Sequence, residues 1–159
     1  MVQITYESIG VIHTPFKKQA DTPIQGVFAP ESKGRVEVFP QYVDGLKDIA
    51  GFSHLILIYH FHLAEGYSLT TRPFLDNESK GIFSIRHFNR PNHVGLSVVR
   101  LDKVKGSILE ISEIDIVDGT PLLDIKPYMP DFDVRHNVRK GWYEDASNIS
   151  EYKQRKGVR

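Results

Sequence analysis

The amino-acid sequence predicts a mostly β fold, an antiparallel barrel with short helices at its periphery. Three observations support this prediction. Short runs rich in β-branched residues recur along the chain, glycine or proline stands between most of them, and helical periodicity is weak throughout. Several short strands separated by turn signals are typical of a barrel.

Six strands are predicted in order along the chain. They cover residues 4–13, 35–39, 54–62, 96–105, 107–117 and 122–128. Pro15 and Pro40 end the first two strands, because proline cannot donate a backbone hydrogen bond to a sheet. The fourth and fifth strands are expected to form a hairpin around Gly106, since apolar residues recur on both sides of that glycine.

Two short helices are expected outside the barrel. One covers residues 42–49 and is ended by Gly51, and the other covers residues 68–75 and is interrupted by Pro73. With no internal repeat and no linker, residues 1–144 are expected to form one domain. Residues 145–159 are polar and charged, and we expect a frayed or helical tail.

Composition excludes several classes of protein. The chain has 159 residues, a net charge of zero and no cysteine, so disulfides and thiolate metal ligands are excluded. No signal peptide is visible, and the longest purely apolar run is far too short to span a membrane. We therefore expect a soluble protein of the cytoplasm. The sequence contains no G-x-G-x-x-G, P-loop or G-x-S-x-G motif, which excludes the usual nucleotide cradles and the serine hydrolase elbow.

Two polar segments, residues 86–97 and 115–128, are denser in functional groups than ordinary loops. Arg86 and Arg90 carry planar guanidinium groups suited to a carboxylate or a phosphate. Asp118 begins a tight Asp-Gly-Thr-Pro turn, whose carboxylate and hydroxyl could bind a ribose or an amine. The alternative is that both segments are simple turns between strands, joined by an Arg–Asp ion pair.

These segments lie within a longer series of motifs that resembles the TsaA-like (TrmO) family, whose characterised members methylate tRNA. The resemblance covers roughly residues 6–133. It rests on IGVIHTPF (9–16), TPIQ (22–25), GFSHLILIYHFH (51–62), RPNHVGLSVVRL (90–101) and DGTPLLDIKPYMPDFD (118–133). The resemblance implies a single-sheet β-barrel that binds S-adenosylmethionine without a Rossmann domain.

It further implies a homodimer with the cofactor near the subunit interface. The implied substrate is the N6-threonylcarbamoyl adenosine beside the anticodon of certain tRNAs, which gains a methyl group on N6.

The resemblance also implies which residues form the site. The expected cofactor-binding residues are Arg86, Arg90, Pro91, Asn92, Gly95, Leu96, Ser97, Asp115, Asp118, Gly119, Thr120 and Leu123. Arg86 or Arg90 is expected to bind a carboxylate or phosphate, and Asp118 the amine or ribose. If methyl transfer uses a general base, the candidates are Asp124, Lys126 and Tyr128, without a choice among them.

One departure from the family pattern concerns the first segment. The family commonly has Arg-Ser-Pro-Phe-Arg-Pro-Asn-Pro there, whereas this chain has His87, Phe88 and Asn89 before Arg90, and His93 in place of the second proline. With fewer prolines, the segment is expected to be less rigid than usual.

Several alternatives stay open. Lys126 either pairs with Asp124 or contacts the cofactor carboxylate or an RNA phosphate. Trp142 and Tyr143 either stack on a flipped base or anchor the C-terminal segment. The protein could also be a barrel that binds S-adenosylmethionine or RNA without chemistry. A less favoured hypothesis is a metal-dependent barrel enzyme, with ligands among His54, His60 and His62.

Overall fold

A computed structural model describes residues 1–73 and 76–144 of the chain. Its strands are β1 (Gly10–His13), β2 (Lys33–Val38), β3 (His54–His60), β4 (Thr70–Thr71), β5 (Lys80–Gly81), β6 (Val94–Lys105), β7 (Ile108–Ser112) and β8 (Thr120–Pro127). Six of them close into a barrel in the order β1-β2-β7-β6-β3-β8, and every pairing is antiparallel. The predicted fold class is therefore confirmed.

Helical structure is confined to short segments at the periphery. The one α-helix, among the described residues, is α1 (Pro130–Asp133). Short segments of 3₁₀-helix cover Gln19–Asp21, Gly26–Phe28, Pro40–Leu46, Ile49–Gly51, Ile82–Ser84 and Gly141–Glu144. No helix in the described ranges is long and apolar enough to cross a membrane.

The core fills the barrel with side chains from alternate positions of each strand. Along β3, Leu55, Leu57 and Tyr59 are buried while their neighbours face outward, as the two-residue period of a strand requires. Buried residues from all six barrel strands, together with Ile114 and Ile116, complete one cluster. This alternation determines which residues can reach the inside of the barrel and which lie on its surface.

Strand β1 closes the barrel, because it pairs with both β2 and β8. Gly10 makes this closure possible: a Cβ atom at this position would lie 2.3 Å from the carbonyl oxygen of Glu37. On the other side of β8, the pairing with β3 shifts between Ile58 and Tyr59, which leaves Leu123 in a bulge. Bulges of this kind redirect side chains near functional sites.

Several predicted boundaries were wrong for local reasons. The first strand begins at Gly10 rather than residue 4, since residues 4–7 are exposed and unpaired with the sheet. The strand after Gly106 ends at Ser112 rather than residue 117, because Glu113 adopts a positive φ of 60° that breaks the extended backbone. Strand β3 ends at His60 rather than at residue 62.

The helix expected over residues 42–49 is two 3₁₀ segments, Pro40–Leu46 and Ile49–Gly51, separated by Asp48 in the left-handed region. The helix expected over residues 68–75 was wrong. The described part of that range holds β4, which pairs with β5, consistent with the β-branched side chains of Thr70 and Thr71. The predicted tail, residues 145–159, lies outside the described residues.

Candidate functional site

A cavity of about 420 Å³ lies beside the start of β6. Three parts of the chain surround it: the N-terminal segment around residues 19–25, the segment 83–90, and the first residues of β6. Its lining comprises Gln19, Pro23, Ile24, Gln25, Tyr59, Phe61, Phe83, Ile85, Arg86, His87, Phe88, Arg90, Val94, Gly95, Leu96, Ser97 and Asp115. The mixture of aromatic rings with a few polar groups is typical of a small-molecule site.

A chain of three polar side chains forms the floor of this cavity. The Ser97 hydroxyl donates to a carboxylate oxygen of Asp115 at 2.6 Å, and the Tyr59 hydroxyl lies 3.0 Å from the Ser97 oxygen. Since the Ser97 proton is directed at Asp115, Tyr59 is the donor in the second bond. The backbone N–H of Gly26 donates to the other oxygen of Asp115 at 3.2 Å. These bonds join β3, β6, the segment after β7 and the N-terminal segment at one point.

Burial changes the acidity of two of these groups. It raises the pKa of Asp115 above its usual range, against the lowering effect of the bonds from Ser97 and Gly26. Burial, and then the nearby carboxylate of Asp115, raise the pKa of the Tyr59 phenol, which therefore stays protonated and able to donate. The floor thus combines the protonated phenol of Tyr59 with the carboxyl group of Asp115, which gives up its proton less readily than usual.

Aromatic rings form the apolar walls. The ring of Phe61 contacts that of Tyr59 edge-on at 5.3 Å, and Phe88 lies 6.4 Å from Phe61. Gly95 allows β6 to approach these rings, because a Cβ atom there would lie 2.3 Å from the Tyr59 ring and 2.8 Å from Phe61. Phe83 is exposed and forms part of the rim. A planar or cationic ligand would find aromatic faces on several sides.

The two arginines at the cavity have different roles. Arg90 donates to the backbone carbonyls of Ile85 and His87 at 2.9 and 3.4 Å, and its guanidinium lies 6.0 Å from the centre of the Phe83 ring. It therefore holds the segment 85–90 together. Arg86 is exposed and uses one nitrogen to donate to Gln25 at 3.1 Å. Its remaining donors are available to a ligand, as a guanidinium carries five N–H groups.

The residues that depart from the family pattern pack against one another beside the cavity. The His87 ring stacks on Phe88 at 4.4 Å and accepts a bond from the backbone N–H of Asn89. Burial, and then the nearby charge of Arg90, lower the pKa of His87. The side-chain oxygen of Asn89 is buried without a hydrogen-bond partner among the described residues.

Six of the twelve predicted cofactor-binding residues line this one cavity: Arg86, Arg90, Gly95, Leu96, Ser97 and Asp115. Pro91 and Asn92 lie on the exposed turn before β6 and do not line it. The sequence reasoning missed Tyr59, Phe61, Phe83 and Gln25. Two of these residues could have been found from the sequence. Gln25 belongs to a motif that carries the resemblance, and Tyr59 is the one inward-facing residue of β3 with a polar group.

The remaining cofactor-binding candidates do not line this cavity. Asp118 accepts from the backbone N–H of Thr14 at 3.0 Å and pairs with Lys17, on the edge of a separate polar groove. Gly119 provides the positive φ of 76° that the turn requires, and Leu123 occupies the bulge of β8. Thr120 donates to the carbonyl of Val117 at 2.7 Å and lines a smaller pocket that shares Asp115 with the cavity.

The three candidates for a general base lie on the outer face of β8 and beyond its end. Asp124 and Lys126 form an ion pair of 2.7 Å on this partly exposed surface, and contact of Lys126 with a cofactor or an RNA phosphate stays a prediction. Tyr128 contacts the ring of His54 edge-on at 6.2 Å. Within one copy of the chain, none of the three lines the cavity.

Trp142 anchors the end of the described chain. Its indole N–H donates to the carbonyl of Ser84 at 2.9 Å, beside the cavity rim. This bond favours the anchoring interpretation of Trp142, and stacking on a base stays a prediction.

The histidines do not converge on a metal site. His54 and His60 face outward from β3, and His62 lies beyond its end. Among residues 1–73 and 76–144, no three His, Asp or Glu side chains are grouped so that they could hold a metal ion.

Comparison with known proteins identifies several relatives. A sequence model of the tRNA-methyltransferase O N-terminal domain matches residues 11–134. A Pyrococcus abyssi protein named as a probable S-adenosyl-L-methionine-binding protein is 56% identical over 143 residues, covering 90% of this chain and 78% of that protein. The Escherichia coli tRNA (adenine(37)-N6)-methyltransferase is 36% identical over 140 residues, covering 82% of this chain and 60% of the enzyme.

The fold is also found in a solved structure. The crystal structure of TrmO from Pseudomonas aeruginosa superposes with a TM-score of 0.75 at 34% identity, over 89% of this chain and 63% of that one. The chain thus spans about three fifths of the length of the Escherichia coli methyltransferase and of the Pseudomonas aeruginosa TrmO chain.

The pKa values of Asp115 and Asp118 are shifted in opposite directions, so the two residues should make stability depend on pH in opposite ways. The pKa of Asp115 is raised from an ordinary value of 3.8, so the folded chain keeps a proton that the unfolded chain loses. The free energy of unfolding must then fall as pH rises from that value towards the folded pKa. Lys17, and then the Thr14 N–H, lower the pKa of Asp118, so its stabilisation is lost as pH falls through the folded pKa.

We expect Asp115→Asn to gain stability relative to the wild type as pH rises from about 4 to about 7, and Asp118→Asn to lose stability relative to the wild type as pH rises from about 2 to about 4. Urea unfolding across both intervals measures the two trends. The same trend in both variants would contradict the assigned environments.

Proposed function

The chain belongs to the family of the tRNA-methyltransferase O N-terminal domain, and from that premise we propose that it is an S-adenosylmethionine-dependent tRNA methyltransferase. The reaction is methylation of an adenosine on N6. The observation that carries this proposal is the cavity beside β6, which joins aromatic walls to a buried carboxyl group and an arginine with free donors.

The cavity suits the chemistry of S-adenosylmethionine. Phe61 and Phe88 offer aromatic faces to an adenine ring or to a sulfonium cation. Arg86 would bind the methionine carboxylate, for which its planar fork is well suited. Asp115 is an acceptor for an ammonium or a ribose hydroxyl. Gly95 keeps the backbone close enough for the ligand to lie against β6.

When bound, S-adenosylmethionine supplies a methyl group on a positively charged sulfur atom, which leaves as a neutral thioether. The chain's own contribution is alignment and desolvation, because holding two reactants in place removes much of the entropic barrier. Phe61 and Phe88 line the cavity and Phe83 lies at its exposed rim, so a bound ligand would displace water from apolar surface there. Asp115, fixed by Ser97 and the Gly26 N–H, holds a polar group of the ligand in one orientation.

The proposed substrate is the N6-threonylcarbamoyl adenosine beside the anticodon. Its threonyl group carries a carboxylate. Lys126 on the outer face of β8 would bind this group by exchanging its ion pair with Asp124 for the substrate carboxylate. The candidates for a general base, Asp124, Lys126 and Tyr128, belong to the same surface. This finer proposal requires that surface to meet the cavity.

A homodimer would bring the outer surface of β8 and the cavity of two copies together. An exposed apolar surface supports the homodimer. The outward residues of β6 include Val94, Leu96 and Val98, with 42%, 53% and 37% of their surfaces exposed. Ile56 and Ile58 of β3 lie beside them in the sheet register. Contiguous apolar surface of this kind marks an interface. Leu96 belongs both to this apolar surface and to the cavity, so a second copy bound here would cover the cavity mouth.

A second candidate function is binding of S-adenosylmethionine without methyl transfer. The Pyrococcus abyssi relative is named as a binding protein and is matched over 78% of its length, whereas the named methyltransferase from Escherichia coli is matched over 60%. The longer relatives carry additional chain that this sequence does not match. Turnover distinguishes the two functions.

The decisive assay is methyl transfer from labelled S-adenosylmethionine to total tRNA that lacks the modification, followed by mass spectrometry of nucleosides. We expect methylated threonylcarbamoyl adenosine from the wild type. Arg86→Ala should weaken cofactor binding by about 10-fold or more, because it removes a charge-assisted contact. Arg72→Ala, an exposed arginine outside the cavity lining, is the matched control. Tight cofactor binding without any product would favour the binding function.

The homodimer is tested separately by sedimentation velocity over a range of protein concentrations. Val98→Asp places a charge in the apolar surface and should shift the protein to monomers, whereas Val138→Asp, at an exposed position off the barrel, should not. A wild type that sediments as a monomer at every concentration would refute the dimer.

A further inference from the structure

A second, larger groove lies on the outer face of the barrel, away from the cavity. Its volume is about 850 Å³, and its lining is dominated by charged and polar side chains. It is formed by β2 and β7 together with the ends of β1 and β6. The charged residues and histidine in its lining are His13, Lys17, Lys33, Arg35, Arg100, Asp102, Glu110 and Asp118.

The sheet register arranges these groups in two rows across the strands. Lys33 pairs with Ser112, and Ser112 with Arg100, so these residues form one row. Arg35 pairs with His13 on one side and with Glu110 on the other, which forms the second row. Paired residues in antiparallel strands project from the same face, and neighbouring strands are about 4.8 Å apart. In the first row, Lys33 and Arg100 therefore lie on either side of Ser112, about 10 Å apart across the strands.

The three carboxylates of the groove are already engaged with cations. Asp118 pairs with Lys17, Asp102 lies 3.5 Å from Arg100, and Glu110 pairs with Lys105 outside the lining. Lys33 and Arg35 form no ion pair with any described residue. Both are exposed and lie two residues apart on the outward side of β2. They are the cations of this groove that remain available to an external anion.

The groove is connected to the cavity along β6. Leu96, which lines the cavity, and Arg100, which lines the groove, face outward from this same strand. Four residues of strand separate them, a distance of about 14 Å along the backbone. The segment after β7 makes a second connection, since Asp115 lies at the cavity floor and Asp118 at the groove edge.

We propose that this groove binds the sugar–phosphate backbone of the RNA substrate, with Lys33 and Arg35 as phosphate contacts. The inference rests on the proposed function, which supplies an RNA whose reacting base enters the cavity. Contacts to phosphates fix the position of a nucleic acid without reading its sequence. A net charge of zero does not oppose this role, because the acidic groups nearby are paired and the free cations are local.

Salt dependence of tRNA binding tests the proposal. Each phosphate contact contributes about 0.7–0.9 to the slope of log K against log salt. Lys33→Gln and Arg35→Gln should each weaken binding of total tRNA and reduce the slope by about that amount, and the double variant by about 1.4–1.8. Lys47→Gln, an exposed cation outside the groove, is the matched control and should leave both quantities unchanged.

Binding of S-adenosylmethionine and thermal unfolding are measured on the same variants. Unchanged values would show that the cavity and the fold are intact, so that a loss of tRNA affinity belongs to the groove. The proposal is overturned if the double variant retains the affinity and slope of the wild type. A wild type that binds tRNA through these residues but makes no methylated product would refute the proposed reaction and leave the groove standing.

Discussion

The hydrogen-bonded chain from Tyr59 through Ser97 to Asp115 is the interaction on which the rest of the site depends. It joins strands that are distant in sequence, and the Gly26 N–H adds the N-terminal segment to the same carboxylate. A buried polar network is stable only when its members are satisfied, so each partner fixes the position of the others. Gly95 allows the close approach of β6 to the Tyr59 ring that this arrangement requires. The cavity lies where these elements meet.

Because side chains alternate between the two faces of the closed barrel, its inner and outer faces have different roles. Inward residues form an apolar core and, at one end, the polar floor of the cavity. Outward residues of β3 and β6 form the apolar surface proposed to bind a second copy, and outward residues of β2 and β7 form the charged groove. One sheet therefore provides three chemically different surfaces. Strand β6 contributes to all of them, because its 12 residues pair with β3 along the first half and with β7 along the second.

The sequence was sufficient to predict the barrel and the six strands, because alternation and turn residues are local signals. It failed where tertiary geometry overrides them, as at Glu113, whose positive φ ends β7 early. Part of the cavity lining was predicted, because motifs in the sequence pointed to the segment 86–97 and to Asp115. Tyr59 and Phe61 were missed because an apolar strand pattern does not distinguish a core ring from a cavity wall. Asp118 resembled a ligand-binding residue in sequence, yet it bonds to Thr14 and Lys17.

The central claim is that S-adenosylmethionine binds in the cavity lined by Phe61, Phe83 and Phe88. The most direct measurement is ¹⁹F NMR of protein labelled with fluorophenylalanine, titrated with the cofactor and assigned through single Phe→Leu variants. We expect the resonances of these three residues to shift on binding, while that of Phe16, whose backbone carbonyl accepts from the Asp118 N–H beside the charged groove, stays unchanged. Saturable binding that shifts Phe16 and leaves the cavity resonances unmoved would contradict the assignment.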